Sequence, residues 1–160
     1  MIEKYGADAL RMGLIVGAAI GSDVKFDEQK IKGYKNFANK VWNIARFVQA
    51  NERVGGMKEE LVKEFSEFAS DVTKDMEEYR IHLALEKIYH YIWHRLADQI
   101  IEESKGEKPG ELKEGYSVTL YYLLENSLKL LHPFMPFITE EIWSELKKDN
   151  LLMIEPWPTP

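Results

Sequence analysis

Cysteine is absent from all 160 positions, so neither a disulfide framework nor a thiolate metal site is available. Long hydrophobic runs are lacking too. The apolar stretch from Met12 to Ile20 is too short to span a bilayer, and the charged segment ahead of it does not read as a signal peptide. These absences suit a reducing compartment, and the cytoplasm is the expected location. Strand-type alternation bounded by turn residues is missing, as are a phosphate-cradling glycine loop, a nucleophile elbow and a nucleotide-binding fingerprint. No catalytic residue is assigned, and no chemistry is expected of this chain alone.

What is present is the composition of a folded globular protein, 45% hydrophobic and 12% aromatic, enough for one sizeable core. Apolar residues recur at helical spacing almost throughout, so the fold class is all-α. A helix is predicted over about Gly6–Ala19, followed by the turn GSDVKFDE. A second runs from Asp27 or Glu28 to about Asn51, and a short one covers Lys58–Phe68. The longest periodic segment, about Ser70–Ser104, carries Met76, Ile81, Leu85, Ile88, Ile92, Trp93, Leu96 and Ile100 on one face. A further helix spans Leu112–Leu131, and a short one about Thr139–Lys147 with Thr139 as N-cap. Long amphipathic segments joined by short loops predict an antiparallel helical bundle. The expected organisation is a linking helix and turn over 1–26, the bundle over 27–150, and a proline-rich extension over 151–160 lying as a strap. The chain reads as part of a longer polypeptide.

The net charge of -6 is unevenly spread. Between positions 29 and 58 stand Lys30, Lys32, Lys35, Lys40, Arg46, Arg53 and Lys58 against Glu52 alone, whereas the chain beyond is strongly acidic. A basic helix on an acidic body marks a local anion-binding surface. Placed at about 100° per residue, Ile31, Tyr34, Phe37, Ala38, Val41, Ile44, Ala45 and Val48 form one arc of the second helix. The opposite arc holds Gln29, Lys32, Asn36, Asn39, Lys40, Asn43 and Phe47, with Lys35 and Arg46 at its edge. An aromatic framed by cations and amides has the composition that binds unpaired nucleotides: cations meet phosphates, amides reach base edges and a ring offers a stacking platform. The plain alternative is a solvated lysine face with one aromatic packed against a neighbouring element. Trp42, between the arcs, is read as structural.

His82, Glu86, His90 and His94 are spaced by four, and two histidines so placed can share a metal. The HExxH arrangement is missing and no third ligand is evident, so no metal site is assigned and the residues are read as a polar stripe. His132, ahead of Pro133, is read as a helix-end residue bonding a terminal carbonyl.

Several stretches together resemble the anticodon-binding domain of valyl-tRNA synthetases, class I aminoacyl-tRNA synthetases. They are YGADALR (Tyr5–Arg11), DVKFDE (Asp23–Glu28), NFANKVWNIARFV (Asn36–Val48), LLHPFMPFITEEIW (Leu130–Trp143) and EPWP (Glu155–Pro158), in order over nearly the whole chain. The HPFMPF-like turn is shared with isoleucyl and leucyl enzymes; NFANKVWNIARFV after DVKFDE looks like the valyl enzyme. The resemblance implies a helical bundle following a catalytic domain whose KMSKS and HIGH motifs and editing insertion lie outside these residues. Valine activation with ATP and Mg, transfer and proofreading then belong to the parent, and no cofactor to this fragment. The implied partners are the anticodon stem-loop of valine-accepting tRNA and the catalytic domain of the same chain; no membrane partner is expected from the sequence, and a monomer is the expected state. The resemblance also implies that Phe47 stacks on an anticodon base, with Lys40 and Arg46 contacting the loop's bases or phosphates. Where a family member presents an arginine at the start of this helix, the sequence has Gln29 beside Lys30, so no base contact is assigned there. Asn36, Asn39 and Asn43 are the candidates for base edges, and Lys32 and Lys35 for phosphates. The rival readings are the isoleucyl counterpart, a helical module docking a protein through Phe47, and a helical metal protein using His90 and His94.

Overall fold

The computed structural model describes residues 1–16, 27–108, 110–146 and 149–158. The second predicted helix is α3, Glu28–Gln49, after the short α1 (Ile2–Tyr5) and α2 (Ala7–Ile15). Asp27 starts it as the N-cap, its backbone extended and its carboxylate accepting from the Gln29 N–H at 2.8 Å. The 22-residue helix buries Ile31, Phe37, Val41, Ile44, Ala45 and Val48, all from the apolar arc. Gly6, at φ 88°, separates α1 from α2, so the first predicted helix begins one residue late and after a short preceding turn. Its C-terminal part and the GSDVKF portion of the turn lie outside the described residues.

α4 runs over Glu59–Glu77 and absorbs the start of what periodicity assigned to one helix from Ser70. The break falls at 78–80. Tyr79 adopts φ 57°, its N–H reaches the Met76 carbonyl and the Arg80 N–H reaches the Asp75 carbonyl at 2.8 Å, the paired bonds of a Schellman C-cap. Glycine or asparagine normally occupies the left-handed position; a tyrosine there carries no stop signal. Arg80 then folds back on Asp75, and Lys87 joins it, at 2.6 and 2.7 Å.

From Ile81 to Ser104 the chain is one rod: α5 (Ile81–His90), a π-helical segment (Tyr91–Ile100) and α6 (Ile101–Ser104). The next helix, α7 (Tyr116–Leu131), starts later than predicted because Leu112 pairs with Lys105 in an isolated antiparallel bridge and Gly115, at φ 82°, turns the chain into the helix. α8 spans Pro136–Glu145, so Thr139 is an interior residue and not its N-cap. Pro136 at the first position has no N–H to satisfy. The next two donors, on Phe137 and Ile138, are taken by the Asp8 carboxylate at 3.3 and 2.7 Å. Thr139 instead returns its hydroxyl to the Met135 carbonyl and accepts from His132 Nδ1 at 2.8 Å. His132 therefore bonds a hydroxyl, and the expected terminal carbonyl is left to backbone donors.

Arg11, one turn after Asp8, donates to the Phe134 and Pro133 carbonyls at 3.1 and 2.8 Å. The YGADALR and HPFMPF stretches are thus two halves of one polar joint between α2 and the turn before α8. Beside this joint, α3, α4, the 81–104 rod and α7 contribute a core that includes Phe37, Phe65, Leu85, Leu96, Leu120, Leu124 and Leu131. Burial of each such side chain contributes roughly 1.5–3 kcal/mol. The segment after α8 lies along the bundle: Trp157 donates to Thr73 of α4 at 2.8 Å, Glu155 pairs with Lys129 of α7 at 2.9 Å, and Leu152 is buried.

Candidate nucleic-acid interface

The side of α3 turned away from its buried stripe carries the candidate residues. Lys32, Lys35, Asn36, Asn39, Asn43 and Arg46 are exposed, and Lys40 and Phe47 are half-buried. Asn36, Asn39 and Asn43 follow one helical stripe, and none has a hydrogen-bond partner among the described residues, so their amides face solvent with both functions open. Lys32 and Arg46 have no ion pair among the described residues either. Lys35 is tethered, its ammonium donating to the Lys4 carbonyl at 3.0 Å.

Two residues differ from their wheel positions in character. Lys40 is not a free cation: its ammonium lies 2.7 Å from Asp98 and 5.4 Å from the Trp93 ring. The Lys40 hydrogen bond is the main cause holding the Asp98 carboxyl below the usual range. A phosphate reaching Lys40 has to compete with that carboxylate. Phe47 packs partly against the core, and its carbonyl accepts from Asn51 Nδ2 at 2.8 Å. Direction on a wheel says nothing of depth, so the ring is an anchored edge and only part of it is available for stacking. Trp42, read as structural, is half-buried against the core.

A groove of about 830 Å³ lies elsewhere, between α4 and the rod, with Phe68, Asp75, Arg80, Lys87, Tyr91 and Arg95 among its lining. Its cations are already matched: Arg80 and Lys87 to Asp75, and Arg95 to both oxygens of Glu64 at 2.6 and 2.7 Å. Such pairs knit α4 to the rod. The His90 and His94 rings stack at 5.5 Å, His94 lies 3.4 Å from Asp98, and no three His, Asp or Glu side chains among the described residues are placed to share a metal. On α3, by contrast, Lys32, Arg46 and the three asparagines have no side-chain partner among the described residues.

Asp8 and Arg11 carry a role that reading by periodicity missed. The signal was present only as the YGADALR stretch itself, because the partners lie more than 120 positions along the chain.

The family model described as the anticodon-binding domain of tRNA ligase matches residues 58–160. α3 precedes that match but is covered by curated relatives. A protein named Valine--tRNA ligase from Clostridium tetani is 37% identical over 99% of this chain, and the one from Geobacillus stearothermophilus is 38% identical over 99%. The Agrobacterium fabrum protein of that name is 37% identical over the whole chain. The chain spans about a fifth of the length of these relatives, 20%, 20% and 19% respectively. Among solved structures, the LeuRS of Agrobacterium radiobacter K84, in a ternary complex with tRNA and LeuAMS, shares the fold at TM-score 0.75 and 20% identity, over 99% of this chain and 20% of that one. With an all-α bundle, a basic and amide face on α3 and a family match over residues 58–160, the chain belongs to the anticodon-binding domains of tRNA ligases.

Proposed function

We propose that this chain binds the anticodon stem-loop of valine-accepting tRNA as the anticodon-binding part of a valyl-tRNA synthetase. In this reading the catalytic domain of the same polypeptide performs ATP-dependent valylation with Mg, and residues 1–26 lead from it into the bundle at 27–150, with 151–160 extending beyond. The protein acts as a cytoplasmic monomer; no helix among the described residues is long and apolar enough to cross a membrane. The observation that carries the proposal is the solvent side of α3, along which Lys32, Asn36, Asn39, Asn43 and Arg46, whose side chains have no hydrogen bond or ion pair among the described residues, run toward the half-buried Phe47.

Each group has a task that its chemistry suits. The part of the Phe47 ring left open stacks on one base, a contact worth roughly 1–3 kcal/mol for a free platform and less for an anchored one. Stacking has little base preference, so Asn36, Asn39 and Asn43 supply the hydrogen bonds to base edges. Lys32 and Arg46 meet phosphates directly, Lys35 from its tether, and Lys40 by exchanging Asp98 for the RNA.

The test is a titration of the chain with valine and isoleucine anticodon stem-loops at two salt concentrations, beside Phe47→Ala, Lys32→Gln and Arg46→Gln. Tighter binding of the valine stem-loop is expected, weakened by Phe47→Ala. Each charge removal should make the negative slope of log K against log salt shallower by about 0.7. Because Phe47 is half-buried, its removal also costs roughly 1–2 kcal/mol of stability, so affinity is measured well below the melting temperature. Binding indifferent to salt and to all three substitutions overturns the proposal, and equal binding of both stem-loops overturns its valine part.

A further inference from the structure

A second, smaller cavity opens beside the α3 arc. It measures about 340 Å³, at the small end of ligand pockets, and is lined by Trp42, Ala45, Arg46 and Gln49 of α3 and by Ile142 and Glu145 of α8. Trp42, Arg46 and Gln49 stand at i, i+4 and i+7, one stripe of the helix. Ala45 and Ile142 are buried and give the cavity an apolar floor. Trp42 adds an indole wall, Arg46 a guanidinium with no ion pair among the described residues, and Glu145 a carboxylate. The Gln49 Nε2 is buried and has no hydrogen-bond partner among the described residues, which marks a donor with an acceptor still to be supplied.

The lining selects the ligand. Glu145 opposes a phosphate seated within the cavity, and the apolar floor and indole wall favour a planar group with a hydrophobic face. One carboxylate acceptor beside amide and guanidinium donors requires a ligand edge that carries both donors and acceptors. An unpaired nucleobase has all of these properties. We propose that this cavity receives a single extruded base of the anticodon loop, held against Trp42, with Gln49 and Glu145 reading its edge and Arg46 bridging to its backbone. The inference rests on the anticodon reading above and extends it from one α3 arc to two. Arg46 belongs to both, and because Phe47 is the next residue, the base on its ring and the base in the cavity belong to different nucleotides of the same loop.

The experiment is a double-mutant cycle on the full chain. Stem-loops in which each unpaired loop base is replaced in turn by an abasic nucleotide are titrated against the chain, Gln49→Leu and Glu145→Gln. Gln49→Leu removes the amide at similar volume and should lower affinity for the intact stem-loop by about 3–10-fold. At one loop position its effect should vanish on the abasic RNA, and at all others it should add. Glu145→Gln should select the same position, and being exposed on α8 it carries the cycle if Gln49→Leu fails to fold. A purely structural Gln49 would instead lower the melting temperature, which should be unchanged or raised, since the substitution removes an unpartnered amide. Additivity at every position, or unchanged affinity, overturns the assignment of the cavity while a Phe47-dependent affinity leaves the anticodon reading standing. No binding of any stem-loop by the unsubstituted chain overturns both.

Discussion

Removing the Asp8 carboxylate should loosen the joint that closes the bundle. Asp8 is 7% exposed and accepts from the backbone N–H groups of Phe137 and Ile138, the first two donors of α8 once Pro136 is discounted. Asp8→Ala leaves both donors unpaired. A lost N-cap costs about 1 kcal/mol, and the second donor, at a longer 3.3 Å, adds about 1 kcal/mol as an unsatisfied, partly buried group. Against this stands the relief of a buried charge: burial pushes the Asp8 carboxyl above its ordinary range, and the two N–H bonds recover only part of that shift. The net expectation for Asp8→Ala is a loss of roughly 1–2 kcal/mol, or about 2–8 °C in Tm at this size. Asp8→Asn should cost less, because its amide oxygen keeps the 2.7 Å bond from Ile138 while giving up the buried charge. The raised value also has a sign in pH. The native state holds this proton above the pH at which the unfolded chain releases it, so Asp8 lowers stability as pH rises through that window. Urea melts of the parent, Asp8→Ala and Asp8→Asn, followed by helical circular dichroism from pH 4 to 7, measure all three. An alanine variant as stable as the parent, or an asparagine variant worse than alanine, refutes the reasoning.

Tyr79→Gly should raise stability by roughly 0.5–1 kcal/mol in a urea melt, since Tyr79 is 78% exposed and a side chain in the left-handed region costs about 1–2 kcal/mol. Gly13→Ala should destabilise by roughly 1–3 kcal/mol, because an added Cβ would meet Ile31 Cγ1 at 2.8 Å where α2 crosses α3; melts with Ile31→Ala in the background should show the penalty shrink. Burial works against the Asp75 charge, but Lys87 and Arg80 outweigh it and hold the carboxyl below the usual range. The stability it contributes is therefore complete above the ordinary carboxylate pKa of about 4 and is lost as pH falls below it, so Asp75→Asn should flatten the acid limb of the stability profile.

Within one helix, most of what matters was legible from residue order. The α3 stripe, its Asp27 cap and the polar side with Lys32, Asn36, Asn39, Asn43 and Arg46 all follow from contacts one to four residues apart, which a periodic pattern encodes directly. The break after α4 was not legible, since its cap uses Tyr79 where glycine would have announced a stop. Nor was the start of α8, whose cap is a carboxylate about 130 positions away.

The sequence by itself determined that the chain is helical, where its long helix begins, and which residues share the basic and amide side of that helix, because helical direction is a local property. Tertiary structure alone decided how deep Phe47 sits, that Lys40 is engaged by Asp98, and that Trp42, Arg46 and Gln49 meet α8 around a cavity. Depth, charge pairing and enclosure each depend on what a second element brings against the first, and spacing along one element carries no record of its neighbour.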